Sequence, residues 1–277
     1  EKQLGVSGHK AIEEFGVQKF NDFCRADVLK YTNIWKDTFT RIGRWVDMDN
    51  DYKTMDLPFM ETVIHNFKEL YDKGLIYEDY RVLPYSWAAQ TPLSNFEVNQ
   101  GYQEKTDTAI TVLFKLEDGR HLLVWTTTPW TLPSNLMIAV GEDIDYSVMQ
   151  EGDEQYILAS ALKDKYKQQL QHATEVAVIK GKDLVGLSYE PMFGYFKHLK
   201  DKGAFRVLSG SFVSTEDGTG IVHIAPGFGQ DDFEACRAYK KDFPVVCPVD
   251  EAGCFTAEVP DYEGKQVFDV NPLVLDW

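Results

Sequence analysis

The spacing of hydrophobic residues changes partway along this chain, and that change limits the fold more than any single motif does. Early on, apolar residues recur every three to four positions, the period of a helix face. In "NDFCRADVLKYTNIWKDTFTRIGRW" the repeating positions are Phe20, Phe23, Val28, Ile34, Trp35, Phe39 and Ile42. The pattern is cleaner in "DLPFMETVIHNFKELYDKG", through Phe59/Met60, Val63/Ile64, Phe67 and Leu70/Tyr71. Asp56 and Pro58 suit the start of that helix and Gly74 suits its stop. From about Thr108 the period becomes two. "TAITVLFKL" and "HLLVWTTT" flank an Asp-Gly turn and predict a hairpin. "LMIAV", "YSVMQ", "QYILA", "TEVAVIK" and "GIVHIA" read as further strands, with short helices expected at "ASALKDKYKQQL" and "GQDDFEACRAYKK". The expected fold is α+β: a helical connective segment over 1–80, then a β-rich domain over 81–277 with its core at 106–260. Many short strands with frequent Gly and Pro turns make that domain β-barrel-like with inserted helices.

Composition narrows the function. The 277 residues are 44% hydrophobic, enough to bury a core, and carry a formal net charge of −16. That charge excludes a domain that coats nucleic acid electrostatically, but not a small site receiving one end of an RNA. The four cysteines form no C-x-x-C pair and the six histidines are scattered, so no metal site is expected. Sparse cysteine and no apolar run of membrane-spanning length point to a cytoplasmic setting, with no membrane partner.

Two stretches carry the chemistry. In "VWTTTPWTLPSN" a strand runs into Pro129 and Pro133, which lack backbone donors and cannot continue a ladder. Taken singly, each threonine is ordinary strand chemistry. As a cluster at a broken strand, the hydroxyls of Thr126, Thr127, Thr128 and Thr131 are free to face a cavity. Hydroxyls donate and accept, which suits a ribose, an ester carbonyl or a held water.

The second stretch is "DGTGIVHIAPGFGQDDF". Alternation puts Ile221, His223 and Ala225 on one strand face, and a flexible loop then delivers Asp231 and Asp232 to the start of a helix. His223 alone reads as a core histidine, and one acid of the pair as a helix cap. A cap needs one carboxylate, which leaves the other for a cation such as a primary ammonium. "GFGQDD" is no phosphate loop: it lacks the third Gly of G-x-G-x-x-G and the Lys of a P-loop, and its acids would repel a pyrophosphate. No G-x-S-x-G elbow and no activated cysteine is evident. A hydrolytic site here would work by positioning a labile bond and a water.

Together, "WTTTPWTLPSN" and "GTGIVHIAPGFGQDD" resemble the inserted editing domain (CP1) of class I aminoacyl-tRNA synthetases. The Thr-Thr-Thr-Pro-Trp-Thr form is similar to that of the isoleucyl enzymes. Leucyl and valyl relatives carry Arg and an acid where Thr128 and Trp130 stand. "GRWVDMDNDYKTMD", "LYDKGLIY" and "TPLSNFE" resemble the stretch leading into that insert. His-Ile-Gly-His and Lys-Met-Ser-Lys-Ser, the nucleotide-binding signatures of the catalytic domain, are absent. The resemblance therefore implies a piece bearing the editing insert without a complete aminoacylation site. No cofactor is expected, ATP belonging to the catalytic domain.

The resemblance further implies hydrolysis of valine from the tRNA for isoleucine by a double sieve. Asp232 would bind the α-ammonium, with Asp231 beside it. Thr127 and Thr128 would hold the terminal adenosine, the ester carbonyl or the attacking water. Thr126 would line the site, and Thr131 and His223 would crowd the side-chain pocket. Trp125 and Trp130 would form a wall or stack on the terminal adenine. The implied partners are the 3′ end of that tRNA charged with valine, valyl-adenylate, and the rest of the synthetase chain. Lys163/Lys165/Lys167 and Lys197/Lys200/Lys202 are candidate guides for the RNA, or solvated faces. Two alternatives stay open: a non-catalytic tRNA-docking or scaffold module, and an editor of valyl or leucyl specificity.

Overall fold

A computed structural model describes residues 1–104, 106 and 108–275. The chain divides into two compact units, Glu1–Arg81 and Val82–Trp277. The first unit holds four helices: α1 (His9–Phe15), α2 (Val17–Leu29), α3 (Thr32–Arg41) and α4 (Leu57–Asp72). The sequence signals act as expected on α4: Asp56 takes the N-cap position in extended conformation, with proline in the first turn. Gly74 follows the helix at φ 67°, where a Cβ would be strained.

The second unit opens with a two-residue antiparallel pair, β1 (Tyr85–Ser86) and β2 (Thr91–Pro92), and the short helix α5 (Asn95–Asn99). Ser94 and Glu97 form a reciprocal capping box on α5. The main sheet then begins with the expected hairpin, β3 (Ile110–Lys115) and β4 (His121–Thr126), in register from Ile110↔Thr126 to Lys115↔His121. Gly119 supplies the positive φ, 94°, at its turn. There follow β5 (Met137–Val140), β6 (Asp145–Glu151), β7 (Glu154–Ala159), β8 (Thr174–Lys180), β9 (Arg206–Ser209) and β10 (Ile221–Ile224). Helix α6 spans Gln230–Tyr239 and α7 spans Val267–Leu275. The sequence reading misses β9, and its helix over "ASALKDKYKQQL" is a 3₁₀ segment, Ser160–Tyr166.

The eight strands run β8-β6-β7-β4-β10-β5-β9, with β3 also on β4. One edge of β4 carries β3 along its whole length; the other is shared. Its start pairs in parallel with β7 through His121 and Leu122, and its end with β10 through Trp125↔Val222. A ladder that forks in this way curls the sheet into a half-barrel, open between β8 and β9. The fold is α+β. The core fills the curl: Leu122, Val124, Met137, Ile138, Val140, Tyr146 and Ile157 are all fully buried. Each contributes on the order of 1.5–3 kcal/mol by leaving water.

Candidate active site at the end of two parallel strands

Because β4 and β10 are parallel neighbours, their C-terminal ends open at the same edge of the sheet. The threonine run leaves one end and the Ala-Pro-Gly-Phe-Gly loop leaves the other. Pro129 and Pro133 turn the chain after β4 into a 3₁₀ segment, Pro129–Ser134, rather than a further strand. The two motifs then meet side chain to side chain. Thr131 Oγ1 lies 2.8 Å from His223 Nε2. The Trp130 and Phe228 rings pack edge to face, centroids 4.8 Å apart. The Trp125 ring lies flat enough on Gly218 (φ 71°) that a Cβ there would fall 2.9 Å from it.

The threonines divide by exposure. Thr126 and Thr131 are buried, whereas Thr127 and Thr128 face solvent. Thr126 Oγ1 accepts from the Thr128 N–H at 3.1 Å, and Thr131 Oγ1 donates to the Thr128 carbonyl at 2.8 Å. Thr128 Oγ1 sits 3.3 Å from both Thr126 Oγ1 and Thr131 Oγ1. The buried pair thus anchors a turn that presents Thr127 and Thr128 outward. Trp130 is half-buried, and its N–H donates to Asn271 Oδ1 of α7 at 3.0 Å.

His223 is enclosed, and burial lowers its pKa to about 4, so the ring is neutral. Both ring nitrogens are occupied. Asn135 Nδ2 donates to Nδ1 at 3.3 Å and to the Met137 carbonyl at 2.9 Å. An accepting Nδ1 places the ring proton on Nε2, which donates to Thr131 Oγ1. Asn135 closes "WTTTPWTLPSN", yet the sequence reading gives it no role. Only its buried position against His223 brings it into the site.

The acid pair differs from its expected division of labour. The N-cap of α6 is Gly229, without a side-chain cap, so neither carboxylate caps the helix. Both lie in the first turn, where the helix dipole favours negative charge. Asp231 is exposed, whereas Asp232 turns back so that Oδ2 accepts from the Ala225 N–H at 2.9 Å. Burial raises the Asp232 pKa to about 6, offset in part by that hydrogen bond and reinforced by the Asp231 charge. Among the described residues, no basic side chain pairs with Asp232. One turn further, burial pushes the Cys236 thiol up to about 12, which leaves it unreactive as a nucleophile.

The lysine candidates are mostly paired with acids. Lys163 meets Glu175, Lys165 meets Asp217, Lys167 meets Asp164 and Lys200 meets Glu117. Among the described residues no group of His, Cys, Asp and Glu is placed to hold a metal ion, and no helix is long and apolar enough to cross a membrane.

Two motifs joined in this way, in this sequence frame, define a class. The model of the class I tRNA synthetases (I, L, M and V) matches residues 1–213, and the chain belongs to that family. Within it the similarity is to isoleucine--tRNA ligases. The chain is 50% identical over 289 residues to that of Rickettsia conorii, and 50% identical over 300 residues to that of Rickettsia felis. Each alignment covers 99% of this chain but only 26% and 27% of the respective relatives, so the chain spans about a quarter of their length. Among solved structures, the P. knowlesi cytosolic leucyl-tRNA synthetase editing domain is 13% identical with a TM-score of 0.48, covering 64% of this chain and 95% of that one.

Proposed function

We propose that this chain is the proofreading part of an isoleucine-specific synthetase and hydrolyses the ester of valine misattached to the tRNA for isoleucine. The observation that carries the reading is the convergence of both motifs at one sheet edge. Thr131 and His223 are in contact, and Asp232 is tied to Ala225, two residues beyond His223. That separation is roughly 7 Å along an extended strand. It leaves room between the two for a small amino acid, ammonium at one end and side chain at the other.

Asp232 serves as the ammonium receptor. A half-buried carboxylate without a cationic partner is poised for one, and a charge-assisted contact contributes about 1.5–3 kcal/mol. Thr131 and neutral His223 bound the side-chain space. Thr127 and Thr128 face solvent, where a terminal ribose, an ester carbonyl or an attacking water can be held. Trp125 is committed to packing on Gly218, so Trp130 is the stronger candidate for contact with the terminal adenine. Hydrolysis proceeds by positioning of water and ester, in keeping with an unreactive Cys236 and a neutral His223 whose ring nitrogens are both engaged.

The task is physically necessary. A hydrophobic pocket separates substrates differing by one methylene by only about 1–3 kcal/mol, and isoleucine against valine is the standard example of that limit. A second, smaller site that admits valine and excludes isoleucine removes the residual error. This reading implies work in the cytoplasm, on a tRNA end delivered by the rest of the synthetase chain, with no cofactor at the hydrolytic site. Titration with nonhydrolysable valyl- and isoleucyl-adenosine mimics tests it. Tighter binding of the valyl mimic is expected; equal binding, or none of either, supports a docking module instead.

A further inference from the structure

The hydrogen bonds around His223 do not end at Asn135. The Tyr189 hydroxyl donates to Asn135 Oδ1 at 2.6 Å, deep in the core, where Tyr189 is fully buried. We propose that Tyr189 is a positioning residue for the hydrolytic site, acting through Asn135 to fix the tautomer of His223 and hence the orientation of Thr131. The inference rests on the editing reading for its functional consequence, but its structural part stands alone.

The argument follows the protons. An amide oxygen and nitrogen are interchangeable in shape, so an asparagine is oriented only by its partners. Here Tyr189 supplies a donor to Oδ1, and the Met137 carbonyl supplies an acceptor to Nδ2. The carbonyl can only accept and so sets the orientation; the hydroxyl then donates to Oδ1 and holds the amide in place. Nδ2 therefore also faces His223 Nδ1, which must accept, and the ring proton lies on Nε2. Nε2–H donates to Thr131 Oγ1, and the Thr131 hydroxyl in turn donates to the Thr128 carbonyl. Four side chains thus form a chain of donors with one direction, from the core to the solvent-facing turn.

Tyr189 is itself held firmly. Its ring stands edge-on to Phe114 at 5.4 Å and to Phe205 at 6.0 Å. The Tyr189 N–H donates to the Phe205 carbonyl at 3.1 Å, and the Phe205 N–H donates to the Leu136 carbonyl at 2.7 Å. Leu136 follows Asn135 directly, so backbone bonds lock the phenol and the amide to each other. Phe205 makes this clamp with φ at 65°, a left-handed conformation that a bulky residue adopts only when its surroundings impose it.

Tyr189→Phe deletes the hydroxyl and keeps the ring. Nitrogen-detected NMR of the His223 ring, assigned by comparison with His223→Gln, reads the tautomer directly. The wild type is expected to hold a single form with the proton on Nε2, and Tyr189→Phe to show mixed or broadened ring signals. The preference for the valyl over the isoleucyl mimic should also fall, by about tenfold for a loss the size of one buried hydrogen bond. A proton on Nδ1 in the wild type overturns the relay without any variant, so a Tyr189→Phe protein that fails to fold does not protect it. An unchanged tautomer and unchanged preference in folded Tyr189→Phe also overturn it. If neither mimic binds the wild type, the editing reading fails, while the tautomer measurement still decides the relay.

Discussion

Helix α4 of the first unit carries large apolar side chains at helical period and strand β7 of the second carries them in a consecutive run, yet only the strand buries them. Ile64 and Phe67 on α4 are 68% and 58% exposed, and no residue of Glu1–Arg81 is buried. In β7, Ile157 and Leu158 are 0% exposed. The difference shows what periodicity means. It marks which face of an element is apolar, and says nothing about whether another element covers that face.

Truncation of one residue in each unit gives the widest separation. Ile157→Ala should destabilise the β-rich unit by about 2–5 kcal/mol in chemical denaturation, through lost burial and the cavity left behind. Ile64→Ala on α4 should change stability by less than about 0.5 kcal/mol. Similar costs at both positions would mean that α4 is covered in solution.

Next in size is Asp232→Asn. The folded pKa of Asp232, about 6, lies above the ordinary carboxylate value of 3.8, so the folded state holds its proton more tightly than the unfolded chain does. Its contribution is therefore fully present below the unfolded pKa and is lost as pH rises through about 6. At neutral pH the ionised group is a cost that asparagine lacks. Asp232→Asn keeps an acceptor for the Ala225 N–H and should raise stability by on the order of 1–3 kcal/mol near pH 7.5. That gain should vanish below about pH 4. Neutral His223 has the opposite sign, losing stability as pH falls from 6.5 toward about 4, but it is common to both proteins and cancels in their difference. A gain independent of pH would show that Asp232 is not the titrating group.

The smallest effect is at the loop. Gly229 has φ −135°, a conformation open to any residue, but a Cβ there would lie 2.8 Å from Asp232 Cγ. Gly229→Ala should leave stability within about 1 kcal/mol and weaken binding of the valyl mimic several-fold by displacing the carboxylate. Unchanged binding would place the ammonium elsewhere.

Much of this was legible beforehand, for reasons that differ by element. The β3–β4 hairpin and helix α6 followed from alternation, an Asp-Gly turn and the loop preceding the acids. β9 was missed because "RVLS" is too short to display a period, and it is defined by its pairing with β5. Thr131 and His223 were singled out separately, but their contact joins residues distant in sequence and depends on β10 lying beside β4. Asn135 and Tyr189 were invisible as site residues, since an asparagine after a serine and a tyrosine in "GLSYEP" carry no local signal. Asp232 was assigned to the ammonium from its place in the motif; its turn toward Ala225 is a tertiary fact.

The central claim is that this sheet edge removes valine, and does so through Asp232. Its direct measurement is the rate at which the chain releases amino acid from the tRNA for isoleucine charged with valine or with isoleucine, for the wild type and for Asp232→Ala. The expected result is faster release of valine than of isoleucine by the wild type. Folded Asp232→Ala should lose valine release by about 10- to 100-fold, the size of a charge-assisted contact. Undiminished valine release by folded Asp232→Ala, or equal release of both amino acids by the wild type, would contradict it.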